Sequence, residues 1–234
     1  NYTEVKPHKK SKYFYFLLGL IVFHVISNIT WIILNNQPPT WDAALHTVLS
    51  LKIYELPSSF LKASSYYPPF VHLIGALLVF IFSYSVKAIQ FTGTLFLVTA
   101  LIFIYLYSKE LFKSEKIAFF SSFFFSFFLT IYEQSRYHML DIPLTAMVFG
   151  SLYFLEKSRN LKERKFSILF FIFIGLATTT KWYALIFIFV PVVFKLIELF
   201  KEKIDFKRVI KNISWGLLAF LILTLPWYIA NLEP

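Results

Sequence analysis

The residues of this chain that could do chemistry stand at the edges of long apolar runs. Asp42 and His46 lie in Pro38-Pro39-Thr40-Trp41-Asp42-Ala43-Ala44-Leu45-His46, and Arg136, His138 and Asp141 in Arg136-Tyr137-His138-Met139-Leu140-Asp141-Ile142-Pro143-Leu144. Lys181 interrupts a third apolar stretch directly after Thr178-Thr179-Thr180. Ionisable groups at membrane depth are expensive, so their presence points to function. Asp42 reads as a general base in a partly dry site. It reads equally as an acid in a first helical turn, behind a Thr40 cap. Asp141-Ile142-Pro143 is an N-cap signal with proline just inside the helix, which explains the acid but not Arg136 and His138 beside it. Glu133 is a candidate partner for Arg136. Lys181 either snorkels to an interface or clamps a phosphate as a point charge.

Two further features join this set. His46 follows Asp42 by four residues and shares its helical face. Two ligands are too few to argue a metal, so contact with water or substrate is the better assignment, and no cofactor is supported. Tyr66-Tyr67-Pro68-Pro69-Phe70 rigidifies the start of another apolar run, and Tyr67 is counted with the binding residues. The chain has no Walker loop, GxGxxG, HExxH or GxSxG, and no cysteine for a thiolate site or nucleophile.

The elements that must position these groups are membrane helices. The chain is 58% hydrophobic and 15% charged, with 30 Phe, and its mean hydropathy is +0.65. Its net charge of +10 falls in short clusters between apolar runs, which is the pattern of membrane loops and excludes nucleic acid as a partner. Runs at 13–34, 88–107, 117–134, 142–156, 166–180, 182–197 and 212–230 predict about seven transmembrane helices. Residues 13–34 are too long for a signal peptide and lack a small-residue cleavage site. The absence of an initiating Met and the stop just beyond an apolar run suggest a piece of a longer protein. The fold class predicted is therefore an all-α polytopic membrane protein, with 1–234 as a single transmembrane domain.

Charge decides the ambiguous run 69–86. If it does not cross, Lys6, Lys9, Lys10 and Lys12 fall on one side with the basic loops 108–116, 157–165 and 195–211. If it crosses, everything after it inverts and most of the 23 basic residues move outside. The expectation is a re-entrant or interface-lying helix within one long outer loop, 35–87, with the N-terminus cytoplasmic. Asp42, the Tyr-Tyr-Pro-Pro turn, Arg136, His138, Asp141 and Lys181 then share the outer face. His24, Ser27, Asn28 and Thr30 form a polar stripe in the first helix, read as interhelical hydrogen bonding.

Taken together, the early Asp in a long first loop, the Pro-Pro turn, the Arg-…-Met-Leu-Asp-Ile-Pro-Leu segment and Gly-Leu-Ala-Thr-Thr-Thr-Lys resemble the GT-C membrane glycosyltransferases. The resemblance is to the dolichyl-phosphate-mannose protein mannosyltransferase and aminoarabinose transferase relatives, and it runs from residue 13 to 230. It implies transfer of a hexosyl or pentosyl group from a polyprenyl- or dolichyl-phosphate donor to an acceptor hydroxyl of a protein, lipid or glycan. It also implies Asp42 and Asp141 as the catalytic acids and Lys181 as a contact of the donor phosphate. Arg136, a second cation at the same mouth of the bundle, is expected to join Lys181 there, and a multi-pass location in a prokaryotic plasma membrane is expected. His46, His138 and Tyr67 would line the substrate. Two positions depart from the pattern: Ala43 stands where relatives commonly carry Glu, and Tyr66 and Tyr67 precede the Pro turn where a basic residue is frequent. A transporter or lipid flippase and a non-catalytic membrane subunit are the alternatives. The first of these would place its ionisable groups at the midplane within inverted repeats.

Overall fold

The structure, a computed structural model, describes residues 11–201 and 205–232, so Lys6, Lys9 and Lys10 lie outside the described residues. Every described element is helical. The order is α1 (Lys12–Leu34), α2 (Trp41–Glu55), α3 (Phe70–Phe82), α4 (Val86–Phe112), α5 (Glu115–Phe127), α6 (Leu129–Gln134), α7 (Asp141–Lys157), α8 (Arg164–Thr178), α9 (Leu185–Lys201) and α10 (Phe206–Ala230). Single 3₁₀ turns at Pro57–Ser59 and Trp182–Ala184 lie between α2 and α3 and between α8 and α9.

The core is centred on α4, which packs against α1, α3, α5 and α7; α7 in turn packs on α8, and α8 on α10. Leu97, Leu101, Leu140 and Ile142 are sealed in this core. By contrast, Phe187, Phe189 and Phe194 of α9 and Ile222 and Ile229 of α10 remain exposed. Apolar surface of that extent facing outward suits lipid rather than water.

Each of the seven apolar runs falls on helix, but the correspondence is not one to one. The run 117–134 breaks at Phe128 (φ −59°, ψ 129°) into α5 and α6. Four helical stretches are long and apolar enough to cross a membrane: Lys12–Leu34, Val86–Phe112, Trp182–Leu199 and Phe206–Ala230. These make the chain an integral membrane protein. Helices α5, α7 and α8 have 13, 17 and 15 residues, roughly 20 to 26 Å of rise, less than the hydrocarbon thickness. Helix α3 is shorter than the run that contains it and stops at Ser83, whose φ of 76° ends it.

The two ends of the bundle differ in chemistry. At one, Ser11 donates to Glu115, Lys157 pairs with Glu110 at 3.3 Å, Lys195 with Glu156 at 2.8 Å and Arg208 with Glu163 at 3.7 Å. That end gathers the start of α1, the basic connections 109–116 and 157–165, the end of α9 and the start of α10. At the other, Lys87 donates to the Ile33 carbonyl at 2.6 Å and to Asn36 Oδ1 at 3.5 Å, while Tyr84 reaches Glu55. The segment 35–86 thus leaves and returns at the same end, with α3 folded back onto α2 and α4.

Candidate active site

The segment 135–140, between α6 and α7, is fixed first. Asn28 of α1 donates its Nδ2 to Ser135 O (3.2 Å) and Oγ (3.0 Å), and Thr94 of α4 donates to the same carbonyl at 3.2 Å. Gly93 permits the approach: a Cβ there would lie 2.4 Å from Tyr137 O and 2.8 Å from Ser135 O. Gly75 of α3 does the same for the next layer, since its Cβ would meet Ser50 Oγ at 2.5 Å and His138 Cε1 at 3.1 Å. On the other flank, the Thr179 carbonyl at the end of α8 accepts from Phe70 N at 3.1 Å, which ties the Pro-Pro turn to the Lys181 segment.

Three carboxylate and ammonium groups converge on this frame. Lys181, in extended backbone between α8 and the 3₁₀ turn, donates to Asp141 Oδ1 at 2.6 Å. Its side chain is 16% exposed and that of Asp141 46%. Burial pulls the Lys181 pKa down, but hydrogen bonds to Asp141 and Tyr183 outweigh it and leave the pKa raised, so the ammonium is retained. Asp42 is exposed in the first turn of α2. Asp42, Lys181 and Asp141 all act electrostatically on His46, and Asp42 and Lys181 also act on Tyr67. The Tyr67 phenol is pushed up by burial and then by Asp42. Its ring meets His46 edge-on at 4.8 Å.

Two capping expectations are corrected here. Leu140, not Asp141, is the N-cap of α7; Asp141 is the first helical residue, and its carboxylate is committed to Lys181. Thr40 stands at the N-cap of α2, yet its hydroxyl makes no capping hydrogen bond. Both acids do lie in a first helical turn, where a carboxylate complements the dipole, and Asp141 is in addition ion-paired with Lys181.

Behind the acids lies a cluster of three buried histidines. His46 Nδ1 and His72 Nε2 are 3.1 Å apart, and His138 Nε2 is 2.8 Å from Ser50 Oγ. The rings of His46, His72 and His138 lie 5.2 to 6.4 Å from one another. Burial lowers the His46 pKa to about 4, with Asp42 pulling upward and Lys181 downward. Burial and the neighbouring His46 lower His72 to about 3, and burial with both neighbours carries His138 well below the ordinary value. All three are neutral at pH 7. His138 is fully sealed, so it supports the site from behind rather than touching a ligand, contrary to its expected place on the substrate. His72, which the sequence reading did not single out, belongs to the cluster. Among the described residues no group of three or more His, Asp or Glu is arranged to hold a metal ion.

Arg136 goes elsewhere. Its Nε donates to Asn28 Oδ1 at 3.1 Å and its Nη2 to Ser27 Oγ at 3.3 Å, and the guanidinium lies 4.0 Å over the Tyr132 ring. Its side-chain partners are those of α1, not Glu133. It acts electrostatically on His24, while the groups acting on His46 are Asp42, Lys181 and Asp141. The polar stripe of α1 thus works through Ser27 and Asn28, whereas both ring nitrogens of His24 are sealed without a partner.

An apolar cavity of about 430 Å³ runs between α8, α9 and α10. Along α9 its lining extends from Leu185, four residues after Lys181, to Leu199, about 21 Å of helix.

A multi-helix membrane bundle with two acids and a lysine gathered at one end has the architecture of the GT-C membrane glycosyltransferases. The fold matches ArnT from Cupriavidus metallidurans in the apo state, with TM-score 0.71, 15% identity, and coverage of 92% of this chain and 41% of that one. It also matches the S. cerevisiae protein O-mannosyltransferase Pmt1-Pmt2 complex bound to the sugar donor, with TM-score 0.68, 15% identity, and coverage of 96% and 33%. Residues 67–229 match the sequence profile of the dolichyl-phosphate-mannose-protein mannosyltransferase family, and the chain belongs to that family. It spans less than half the length of either structural relative. No curated protein sequence matches it significantly.

Proposed function

We propose that this chain carries the donor and base half of a glycosyl-transfer site, which moves a sugar from a polyprenyl- or dolichyl-phosphate to an acceptor hydroxyl at the outer face of the membrane. The observation that carries the reading is the convergence of Asp42, Asp141 and Lys181, from three separate segments, around His46 and Tyr67. Asp42, exposed and uncommitted, takes the proton of the acceptor hydroxyl as its oxygen bonds to the anomeric carbon. The bond from that carbon to the phosphate oxygen breaks, and its electron pair leaves with the lipid phosphate. An ammonium has three donors; Lys181 spends them on Asp141 and Tyr183 and keeps one for the developing anion. The apolar cavity beginning at Leu185 suits a polyprenyl tail. On this reading Arg136 braces segment 135–140 against α1, and the phosphate is left to Lys181. Helices α5, α7 and α8 complete a seven-crossing bundle by tilting neighbours or thinning the bilayer at their ends.

The test is transfer from a radiolabelled polyprenyl-phosphate sugar by the protein reconstituted in lipid, compared with Asp42→Asn. Sugar transfer by the wild type that is lost in the variant, with lipid-phosphate binding retained, supports the reading. Equal turnover by both returns Asp42 to an ordinary surface acid.

A further inference from the structure

The sugar-transfer reading makes no use of His72, although it is 1% exposed and hydrogen-bonded to a residue of the site. The proton positions in the histidine cluster follow from its partners. The Pro68 carbonyl accepts a hydrogen bond from the His72 ring, and His72 Nε2 is the atom that faces His46. The donor toward Pro68 is therefore Nδ1–H, which leaves Nε2 of the neutral ring as an acceptor. His46 must then donate its Nδ1–H across the 3.1 Å contact, and its own Nε2 carries the lone pair.

That lone pair is not sealed in. Among the described residues the buried side-chain nitrogens and oxygens without a partner are those of His24, Tyr105 and His138 Nδ1. Among the described residues His46 Nε2 has no hydrogen-bond partner and is absent from that set, so this nitrogen of a 4% exposed residue is not fully sealed. It lies beside Tyr67 and within the field of Asp42 and Lys181. The backbone under it is held as well. Ser50 Oγ donates to the His46 carbonyl at 3.1 Å, so its one hydrogen is used, and it accepts from His138 Nε2–H at 2.8 Å. This assignment leaves His138 Nδ1 bare, in agreement with its sealed, unpartnered state.

We propose that His72 is a positioning residue: it fixes His46 as the Nδ1–H tautomer, so that His46 Nε2 accepts a hydrogen bond from the incoming hydroxyl and aims it toward Asp42. The hydroxyl's single hydrogen points to His46 Nε2 as the alcohol docks and then turns to Asp42, one helical turn away, which takes the proton as the oxygen bonds to the anomeric carbon. A pair of acceptors selects a nucleophile that brings its own hydrogen, so the acceptor is an alcohol rather than a carboxylate or phosphate. The catalytic consequence rests on the sugar-transfer reading; the tautomer does not.

The two are separable by experiment. The chain has five histidines, so ¹⁵N-histidine labelling of the protein in lipid nanodiscs, with His46→Gln to assign its signals, reads the tautomer directly. The expected wild-type result is a protonated Nδ1 and a bare Nε2 on His46 at pH 7. His72→Phe should let His46 shift toward the other tautomer, and His72→Gln, whose amide oxygen can accept in place of Nε2, should restore it. With a polyprenyl-phosphate sugar and a simple alcohol, His72→Phe should lower kcat about ten- to a hundredfold with donor KM unchanged, and His72→Gln should recover most of it. A wild-type His46 protonated on Nε2 overturns the proposal, even if His72→Phe does not fold. So does an unchanged kcat in a folded His72→Phe. A protein with the expected tautomer that transfers no sugar from any donor removes the transfer reading alone.

Discussion

Lys181 and Asp141 meet across 2.6 Å although forty residues separate them. That contact ties the end of α8 to the start of α7 at the site. It also leaves Lys181 the more enclosed partner and Asp141 the one open to solvent. On the proposed function, Lys181→Ala removes the positive charge that the donor phosphate would face, an expected loss on the order of 1.5–3 kcal/mol, or about ten- to a hundredfold in lipid-phosphate affinity. Asp141→Asn frees the ammonium from its carboxylate and should leave affinity unchanged or tighter while lowering turnover, because Lys181 is no longer aimed. Titration with a polyprenyl phosphate measures both. Equal binding by the wild type and Lys181→Ala would place the phosphate elsewhere.

The glycines of the bundle are not equivalent. A Cβ on Gly93 would meet main-chain carbonyls, which cannot swing aside, and one on Gly75 would meet the Ser50 and His138 side chains. Gly19 on α1 has nothing within 4 Å. Gly93→Ala should therefore destabilise most, by about 3 kcal/mol or more, and Gly75→Ala by about 1–3 kcal/mol. Gly19→Ala should be neutral or slightly stabilising through helix propensity. Thermal unfolding in one detergent ranks the three, and a Gly93→Ala protein as stable as the wild type would contradict the packing around segment 135–140.

How much of this was legible in the sequence depended on contrast. Asp42, Asp141 and Lys181 stood out because a charge in an apolar background is visible without any knowledge of its partners. His72 did not, since it falls in the run Phe70–Phe82 and its partner is 26 residues away. A His at that position, three residues past a Pro-Pro turn that enters the site, is the signal that could have found it. Glu133 was the natural partner for Arg136 by proximity, but stacking on Tyr132 and two acceptors from α1, more than a hundred residues earlier, hold the guanidinium instead. The break at Phe128 carries no Gly or Pro to announce it.

The buried histidines set an acid limit on stability. Their folded pKa values, about 4 for His46 and about 3 for His72, lie below the ordinary 6.5. Above pH 6.5 both folded and unfolded chains hold them neutral, and the contribution is complete. As pH falls below 6.5 the unfolded chain takes up protons that the folded one refuses, so stability declines toward pH 4 and below. The slope is at most about 1.4 kcal/mol per pH unit for each histidine. Thermal midpoints measured from pH 7.5 to 4.5 should drop, and the drop should be shallower in a His46→Gln/His72→Gln protein. A flat profile in the wild type would mean that the cluster is hydrated or already protonated.

Because the chain has no cysteine, its orientation can be read with single introduced thiols. Ser65 is exposed in the turn before the Pro-Pro pair, and Lys113 is exposed in the connection between α4 and α5. Residues 33–36 and 87 are held together at one end, and Ser11 and Glu115 at the other, so these two sites lie at opposite ends of the bundle. The proposed orientation puts the second end, with its excess of Lys and Arg around 109–116, 157–165, 195–201 and 205–208, on the cytoplasmic side. In intact cells or sealed right-side-out vesicles, Ser65→Cys should react with a membrane-impermeant maleimide and Lys113→Cys only after permeabilisation. Labelling of both from the outside would mean that 69–86 crosses the membrane. The reverse order would turn the Asp42–Asp141–Lys181 end inward, and with it the proposed outer-face transfer.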